Sequence, residues 1–247
     1  MNSDCESINP YSGDSRRKSE QVRDMFDHIA PAYDFMNRAM TFGIDRIWRR
    51  KAVKMLSQKP HDTILDVATG TGDLAMLLAR MTDAGQITGI DLSQNMIGIG
   101  RQKIAQAGLE RRITLTAGDC LSLPFDEASF HAVTVAYGVR NFEDLAAGYR
   151  EMFRVLRTGG SITVIELSTP SSPLVKPFYK LYTRHLIPLI GRLVSKDVRA
   201  YSYLPESIAA VPQGNDMTAI MQQAGFTDTR CRRLTFGTCS IYTGTKP

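Results

Sequence analysis

Residues 63–73 constrain the fold of this chain most strongly, because an apolar strand runs there directly into a glycine-containing turn. The strand covers 63–67, and the loop ATGTG at 68–72 separates it from the next helix. Glycine lets the backbone turn tightly and approach a ligand, and the following helix presents free N–H groups at its N-terminus. Asp91 ends the second predicted strand, where its carboxylate can accept hydrogen bonds from two ribose hydroxyls. The pattern predicts a nucleotide-containing ligand at one edge of a sheet.

Strands and helices alternate through most of the chain, which favours a parallel sheet. The predicted strands cover 63–67, 86–91, 113–117, 130–136 and 161–167, and two further β-rich stretches cover 227–235 and 239–245. The predicted helices cover 74–81, 93–107 with Ser93 as its cap, 145–156, and 215–224 ending at Gly225. We therefore predict an α/β, Rossmann-like fold with a mostly parallel seven-stranded sheet and helices on both faces.

The 247 residues are interpreted as a single domain. Residues 1–18 are polar and patternless and are expected to form a loose arm. Residues 19–57 have helical periodicity, and Pro31 and Gly43 are expected to divide them into short helices. The remaining segments are the sheet core at 58–169 and 214–247, and a proline-rich insertion for substrate or membrane contact at 170–213.

The net charge does not decide which class of partner the chain binds. Lys and Arg number 30 against 25 acidic residues, a net charge of +5, which permits nucleic acid or an anionic membrane surface but requires neither. Arginine pairs are scattered along the chain, at 49–50, 111–112 and 232–233, which favours solvated faces over a nucleic-acid-binding stripe. We therefore expect no nucleic-acid partner.

The four cysteines form no CxxC motif and have no companion histidine spacing, so the sequence predicts reduced thiols and no metal site. No apolar run approaches the length of about 18 residues that a transmembrane helix needs. The N-terminus lacks the apolar core of a secretory signal and the arginine-rich character of a transit peptide. The expected location is the cytoplasm.

The glycine loop alone is ambiguous between two cofactors. Gly70-x-Gly72-x-x-Ala75 followed by an acid also fits the dinucleotide fingerprint, so an NAD-dependent oxidoreductase stays open. Asp66 lies just before the loop, where a carboxylate can meet an amino-acid ammonium but gains nothing from a pyrophosphate. Asp119 follows the third strand and can accept from an adenine amino group, and Cys120 can offer its backbone N–H to the ring. These acids favour S-adenosylmethionine.

The same residues resemble the class I methyltransferases. The matching segments, in order, are Asp66-x-x-x-Gly70-x-Gly72, Asp91, Asp119, Leu123-Pro124-Phe125 and RVLRTGG at 154–160. A narrower set is similar to the ubiquinone/menaquinone biosynthesis C-methyltransferases: Tyr33-Asp34-x-Met36-Asn37, Phe42-Gly43, Trp48, GVRN at 138–141 and YSYLPESI at 201–208. The chain departs from these patterns at Thr158, where the usual residue is Pro, and at Asp45, where many relatives have His.

The resemblance implies a class I methyltransferase fold with an N-terminal helical lid at 19–57. It also implies S-adenosylmethionine as cofactor, held by Asp66, Gly70, Thr71, Gly72, Asp91, Asp119, Cys120 and Ala136. The implied reaction is C-methylation of a polyprenylated hydroquinone, demethylmenaquinol, in menaquinone biosynthesis. The alternatives are the equivalent benzoquinol of ubiquinone biosynthesis and, from another class, a noncatalytic membrane-surface module that keeps the cofactor fold.

Catalysis in such an enzyme needs an ionised ring phenol and the removal of a ring proton. Arg140 is our candidate for lowering the phenol pKa, with Asn141 orienting Arg140 or a water. Asp34 or His28 is a candidate base. The substrate-contacting candidates are Tyr33, Asn37, Tyr201 and Tyr203.

Residues 176–196 are basic and amphipathic, which suits a helix lying at a membrane interface. The apolar residues are Phe178, Leu181, Tyr182, Leu186, Leu189, Ile190 and Leu193, and the cations are Lys176, Lys180, Arg184, Arg192 and Lys196. A core-packed helix or a homodimer contact is the alternative. The sequence thus predicts transient contact with the inner face of the cytoplasmic membrane.

Overall fold

The computed structural model describes residues 4–11, 13–170, 172–183 and 198–247, with the backbone alone at residues 4, 180 and 198–202. The strands are β1 (Thr63–Val67), β2 (Gln86–Asp91), β3 (Ile113–Ala117), β4 (Phe130–Ala136), β5 (Leu156–Leu167), β6 (Thr227–Leu234) and β7 (Cys239–Thr245). The helices are α1 (Asp4–Ser7), α2 (Lys18–Thr41), α3 (Asp45–Leu56), α4 (Asp73–Met81), α5 (Gln94–Gln106), α6 (Leu145–Val155), α7 (Lys176–Leu181), α8 (Val198–Ala210) and α9 (Asn215–Gln223).

The strands form one seven-stranded sheet in the order β3-β2-β1-β4-β5-β7-β6. The first five strands in that order pair in parallel, and β7 pairs antiparallel with both β5 and β6. The predicted fold class is therefore confirmed. Successive strands are added on one side of β1, from β1 to β3, and then on the other side, from β4 onward, so the strand order reverses between β1 and β4. In open α/β sheets, ligands bind at the carboxyl ends of the strands that flank this reversal.

Alternate residues of the central strands enter two separate cores. Leu65 packs with α6 and α9 on one face, while Ile64 packs with α3, α4 and α5 on the other. Both side chains are fully buried, as the two-residue period of a strand requires when both faces are covered. The predicted Ser93 cap of α5 is confirmed, since its hydroxyl accepts from the Met96 N–H at 3.1 Å. Rigid strand ends therefore support the loops that follow them.

The predicted division of the N-terminal helices at Pro31 is wrong. α2 is a single helix of 24 residues that contains Pro31, and it ends only where Phe42 and Gly43 adopt left-handed backbone conformations. An interior proline costs about 3 kcal/mol. Burial of Met25, Ile29 and Met36 against the rest of the domain more than offsets that cost, because each large apolar side chain contributes about 1.5–3 kcal/mol.

The expectation of a loose arm at residues 1–18 is also wrong over its described part. α1 places Cys5 in the core with no exposed surface, and the Glu6 carboxylate accepts from the Leu145 N–H at 3.0 Å. The buried Lys18 ammonium donates to the Cys5 carbonyl and, at 3.5 Å, to the Arg140 carbonyl. These polar contacts hold the N-terminus beside the start of α6, and no hydrophobic periodicity signals them.

The insertion at 170–213 is described in part. α7 and α8 are helical, whereas residues 184–197 lie outside the described residues, so most of the predicted amphipathic stretch does too. In the part of the chain that the structure describes, no helix combines the length and the apolar character needed to cross a bilayer.

Candidate active site

A cleft of about 710 Å³ lies at the carboxyl ends of β1 to β4. Five of the predicted cofactor-binding residues line it, one or two from each strand end: Gly70, Asp91, Asp119, Cys120 and Ala136. α2 covers the cleft from the other side through Val22, Phe26 and Tyr33. The clustering of these groups at the strand ends fits an adenosine-containing cofactor under a helical lid.

Asp91 forms a hydrogen bond with the glycine loop and also lines the cleft. One of its carboxylate oxygens accepts from the Gly70 N–H at 2.8 Å and the other from the Ser93 N–H at 2.9 Å. Burial raises the pKa of this carboxyl, and the two backbone N–H groups oppose that rise. Each oxygen has a further lone pair, so Asp91 can still accept from ribose hydroxyls.

Asp66 lies deeper, with 1% of its surface exposed. Its two oxygens accept from the hydroxyls of Thr69 at 2.6 Å and Thr134 at 2.7 Å. Burial raises the Asp66 pKa to about 6, although the hydroxyls oppose the rise. A carboxylate with this environment is stabilised by a cation nearby, which suits the ammonium that the sequence assigns to it.

Asp119 caps its own turn and faces the cleft at the same time. Its Oδ1 accepts from the Leu121 N–H at 2.9 Å, while Asp119 and Cys120 both line the cleft. The turn leaves Oδ2 available to an adenine amino group.

The glycine loop is fixed by a lid contact. The Thr71 hydroxyl donates to Asp34 of α2 at 2.6 Å, and Lys103 of α5 forms ion pairs with Asp34, at 2.6 Å, and with Asp73. Asp34 therefore joins the lid to the loop, and both of its oxygens are engaged. Gly72 lies behind the loop as the N-cap of α4, at φ +77°, so it lets the chain turn instead of lining the cleft.

A second cavity of about 980 Å³ adjoins the first. Tyr33 and Tyr137 line both, so the two recesses meet at these rings. The walls of the second cavity are largely apolar and aromatic, with contributions from Trp48, Tyr179 and Tyr182. An apolar ring could therefore approach the cofactor from the side away from the glycine loop.

Arg140 lines the second cavity from the turn after β4. It is 6% exposed, and its Nη1 pairs with Glu166 at the end of β5 at 2.9 Å and donates to the Tyr137 carbonyl. Burial lowers the pKa of Arg140, but Glu166, Tyr33 and Tyr203 together outweigh burial, so the pKa is raised. The Arg140 Nε has no hydrogen-bond partner among the described residues. The guanidinium is thus charged, rigidly held and incompletely satisfied.

The other predicted substrate residues meet around Arg140. The Tyr203 hydroxyl donates to the Asn141 Oδ1 at 3.1 Å, and the Tyr33 hydroxyl is hydrogen-bonded to the Asn37 side chain. Arg140 and these four residues line one recess of about 420 Å³ that overlaps the second cavity. The side chain of Tyr201 lies outside the described residues. His28 is exposed and bonded to the Asp24 carbonyl, on neither cavity wall, so the structure gives no support to His28 as the base.

Sequence reasoning missed three buried residues of the site. Glu166 is an acid one residue before the end of a predicted strand, close to the position that Asp91 has in its strand, and that position was a usable signal. Arg49 follows Asp45 by four residues on one helix, the spacing of an ion pair, although the sequence analysis assigned it to a solvated face. Tyr137 gave no signal. Its left-handed backbone, at φ +62°, and its unpartnered hydroxyl among the described residues emerge only in three dimensions.

The chain matches the model of the ubiE/COQ5 methyltransferase family over residues 14–246. A demethylmenaquinone methyltransferase of Bacteroides fragilis is 48% identical over 100% of both chains. The demethylmenaquinone methyltransferase of Porphyromonas gingivalis is 46% identical over 98% of both chains. A ubiquinone/menaquinone biosynthesis C-methyltransferase of Geobacter sulfurreducens is 45% identical over 93% of this chain and 90% of that protein.

Solved structures share the fold at low sequence identity. A phosphoethanolamine N-methyltransferase of Haemonchus contortus, in complex with S-adenosylhomocysteine, has a TM-score of 0.67 at 15% identity, covering 91% of this chain and 60% of that one. A SAM-dependent methyltransferase of Thermotoga maritima has a TM-score of 0.65 at 18% identity, covering 91% and 99%. At these identities the likeness shows the fold alone.

Proposed function

The chain belongs to the ubiE/COQ5 methyltransferase family, and from this premise we propose that it methylates a ring carbon of demethylmenaquinol with S-adenosylmethionine. Membership makes the chain a methyltransferase, so the NAD-dependent oxidoreductase that the glycine loop alone allowed is wrong. The relatives at 48% and 46% identity carry the name demethylmenaquinone methyltransferase, which supports the naphthoquinol over the benzoquinol.

One observation carries the proposal. The cleft that suits the cofactor and the largely apolar cavity that suits a quinol ring meet at Tyr33 and Tyr137. In-line methyl transfer requires donor and acceptor atoms about 3–3.5 Å apart, so the two ligands must share a boundary of this kind. A noncatalytic module that kept only the cofactor fold has no need of the second cavity.

S-adenosylmethionine supplies an electrophilic methyl group when bound. Asp91 orients the ribose, Asp119 receives the adenine amino group, and Asp66 holds the amino-acid ammonium. Arg140 stabilises the phenolate of the quinol, because a buried guanidinium favours the ionised form of a phenol beside it. Glu166 holds Arg140 in position through Nη1 and partly neutralises its charge. Arg140 therefore acts on the phenolate mainly through Nε, which has no partner among the described residues.

A water molecule oriented by Asn141 is the favoured acceptor for the ring proton. Asp34 is engaged by Thr71 and Lys103, and it does not line the second cavity. Asp45 is the one carboxylate among the described residues that line this cavity, but its oxygens accept from Thr41 and Arg49. We therefore assign Asp34 to fixing the lid on the glycine loop.

The test is methyl transfer to reduced demethylmenaquinol, followed with isotopically labelled cofactor. Removing one electrostatic contact of this kind lowers turnover by about 10²–10³-fold, so Arg140→Ala should fall in that range with cofactor affinity little changed. Arg140→Lys keeps the charge but not the planar fork and should be intermediate. Arg150→Ala, an exposed arginine on α6, is the control.

Two outcomes would contradict the assignment. Turnover of Arg140→Ala within twofold of the parent removes Arg140 from catalysis. A parent protein that binds S-adenosylmethionine but methylates no quinol shows that the substrate assignment fails. Competition between demethylmenaquinol and the corresponding benzoquinol separates the two substrates, since a naphthoquinol enzyme favours the first in kcat/KM.

We further propose that the polyprenyl tail leaves the second cavity toward a membrane surface. Phe42 borders the cavity and is 75% exposed, and Phe178 and Leu181 of the adjoining α7 are 74% and 62% exposed. Exposed apolar side chains grouped at a cavity mouth are typical of a lipid-facing rim. Binding to anionic vesicles should fall for the double variant Phe178→Gln, Leu181→Gln and not for Ile47→Gln, an exposed apolar position on α3. Equal vesicle binding by the parent, the double variant and Ile47→Gln would show that α7 does not contact the membrane.

A further inference from the structure

Arg49 is a buried cation whose contacts include one buried carboxylate, that of Asp45 on the wall of the second cavity. It lies on α3, next to Trp48, and only 7% of its surface is exposed. Its Nη1 pairs with Asp45 one helical turn earlier and lies 3.9 Å from Asp73 at the start of α4. Its guanidinium carbon lies 5.2 Å from the centre of the Tyr137 ring. The side chain is therefore held in one place by three elements.

This arrangement leaves a buried donor of Arg49 unused. The Arg49 Nε is buried and has no hydrogen-bond partner among the residues that the structure describes. A buried donor without an acceptor is unfavourable, and few such groups persist in folded proteins unless a ligand, ion or water completes them. An acceptor from outside the chain is thus expected beside Arg49.

The recess beside Arg49 adjoins the cofactor cleft. It encloses about 330 Å³ and is lined by Arg49, Asp66, Asp73 and the glycine loop. Four residues line both spaces: Tyr33, Ala68, Gly70 and Ala136. The smaller and more polar space therefore continues from the nucleoside end of the site past the loop, where the amino-acid end of the cofactor must lie.

The charged groups around this recess determine where the ammonium and the carboxylate of an α-amino acid would bind. Asp66 accepts from two hydroxyls and forms no ion pair with a cation of the described residues, so it is the group that receives the ammonium. Lys103 does not line the recess, and it is engaged by both Asp34 and Asp73, so it has little capacity for another anion. Arg49 is the cation of the recess with an unused donor.

We propose that Arg49 binds the α-carboxylate of the methionine portion of S-adenosylmethionine, an inference that rests on the proposed cofactor. The carboxylate accepts from the Arg49 Nε, while Asp45 and Asp73 fix the guanidinium from its Nη1 side. Arginine suits this position because its donors form a planar fork that matches a carboxylate. The α3 helix thereby contributes to cofactor recognition from outside the strand-end loops.

The experiment compares two ligands that differ only in this carboxylate, S-adenosylmethionine and decarboxylated S-adenosylmethionine, by calorimetry on the full chain. The parent should bind the carboxylated ligand at least 10-fold more tightly. Arg49→Met should weaken S-adenosylmethionine at least 10-fold and change the decarboxylated ligand less than twofold. Arg50→Met, the exposed neighbour on the same helix, should leave both affinities unchanged.

Arg49→Lys is a second variant, to be used if Arg49→Met does not fold. Lysine can keep the ion pair with Asp45, so the fold should be preserved, as judged by thermal unfolding. This variant should lose several-fold of the preference for the carboxylated ligand. Equal losses for both ligands in either variant make Arg49 a structural residue and overturn the proposal. So does a parent protein that binds both ligands equally. A parent that binds neither ligand instead refutes S-adenosylmethionine as the cofactor.

Discussion

Replacing Glu166 by Gln isolates the buried ion pair that holds Arg140. Glu166 is 1% exposed, and its oxygens accept from the Arg140 Nη1 at 2.9 Å, the Leu167 N–H at 2.8 Å and the Arg140 N–H at 3.3 Å. The amide keeps one acceptor oxygen but turns the other position into a donor that faces a donor. The Arg140 charge then stays buried without its counter-ion.

The magnitude follows from these contacts. Removing one partner of a buried ion pair costs about 3–5 kcal/mol. Glutamine retains a neutral acceptor for Arg140, so we expect the low end, about 3 kcal/mol. For a chain of this size each kcal/mol lowers Tm by about 2–4 °C, which predicts a fall of about 6–12 °C.

Thermal and urea unfolding at pH 7 measure this change. Glu110→Gln, at an exposed position, is the control and should change the free energy of unfolding by less than about 0.5 kcal/mol. Adding Arg140→Met to Glu166→Gln removes the stranded cation, so the double variant should cost about 2 kcal/mol less than the sum of the single ones. Additive losses, or a Glu166→Gln variant as stable as the control, would refute the ion pair as the element that holds Arg140.

Three further predictions concern the cofactor cleft and its support. Affinity for S-adenosylmethionine should fall as pH drops below about 6, because the ammonium pairs with ionised Asp66 and the pKa of Asp66 in the free protein is about 6. Asp66→Asn should flatten this pH profile in calorimetry, and a flat profile for the parent would contradict the pairing. Asp91→Ala should weaken the same ligand by about 1–3 kcal/mol, and unchanged affinity would remove Asp91 from the ribose site. Gly100→Ala should destabilise the fold by about 1–3 kcal/mol in thermal unfolding, because its Cβ would lie 2.5 Å from the Leu115 Cδ1 and 3.1 Å from the Thr71 backbone, so it cannot move away from the leucine. A Cβ added at Gly98 on the same helix would have no atom of another element within 4 Å, so Gly98→Ala should be neutral or stabilising. Equal effects of the two substitutions would show that crowding is not the cause.

The sequence predicted the sheet well because its signals are local. Hydrophobic runs bounded by glycine and polar turns place β1 to β4 at the observed residues, and the Ser93 cap and Gly225 mark helix ends where the structure has them. It failed at Pro31, where local propensity predicts a break but burial of α2 against α5 and α8 decides otherwise. Propensity is a weak guide wherever tertiary burial contributes more than about 3 kcal/mol.

The cofactor cleft was accessible to sequence reasoning for a topological reason. The carboxyl ends of parallel strands meet at one edge, so residues at or just after the ends of β1 to β4 must converge whatever the details of packing. Asp91, Asp119 and Ala136 indeed line one cleft. The family signature added Tyr33, Asn37 and Arg140, which the structure brings to one recess.

The residues able to carry the chemistry are recognisable from local sequence patterns, whereas their hydrogen-bond partners are set by contacts between distant segments. Arg140 and Glu166 are 26 residues apart, Asn141 and Tyr203 are 62 apart, and Asp34 and Lys103 are 69 apart. No local pattern records such pairings, because each depends on where the fold brings two distant segments together. Asp34, a candidate base in the sequence, accepts from Thr71 and Lys103 in the structure and so connects α2 with the glycine loop and α5.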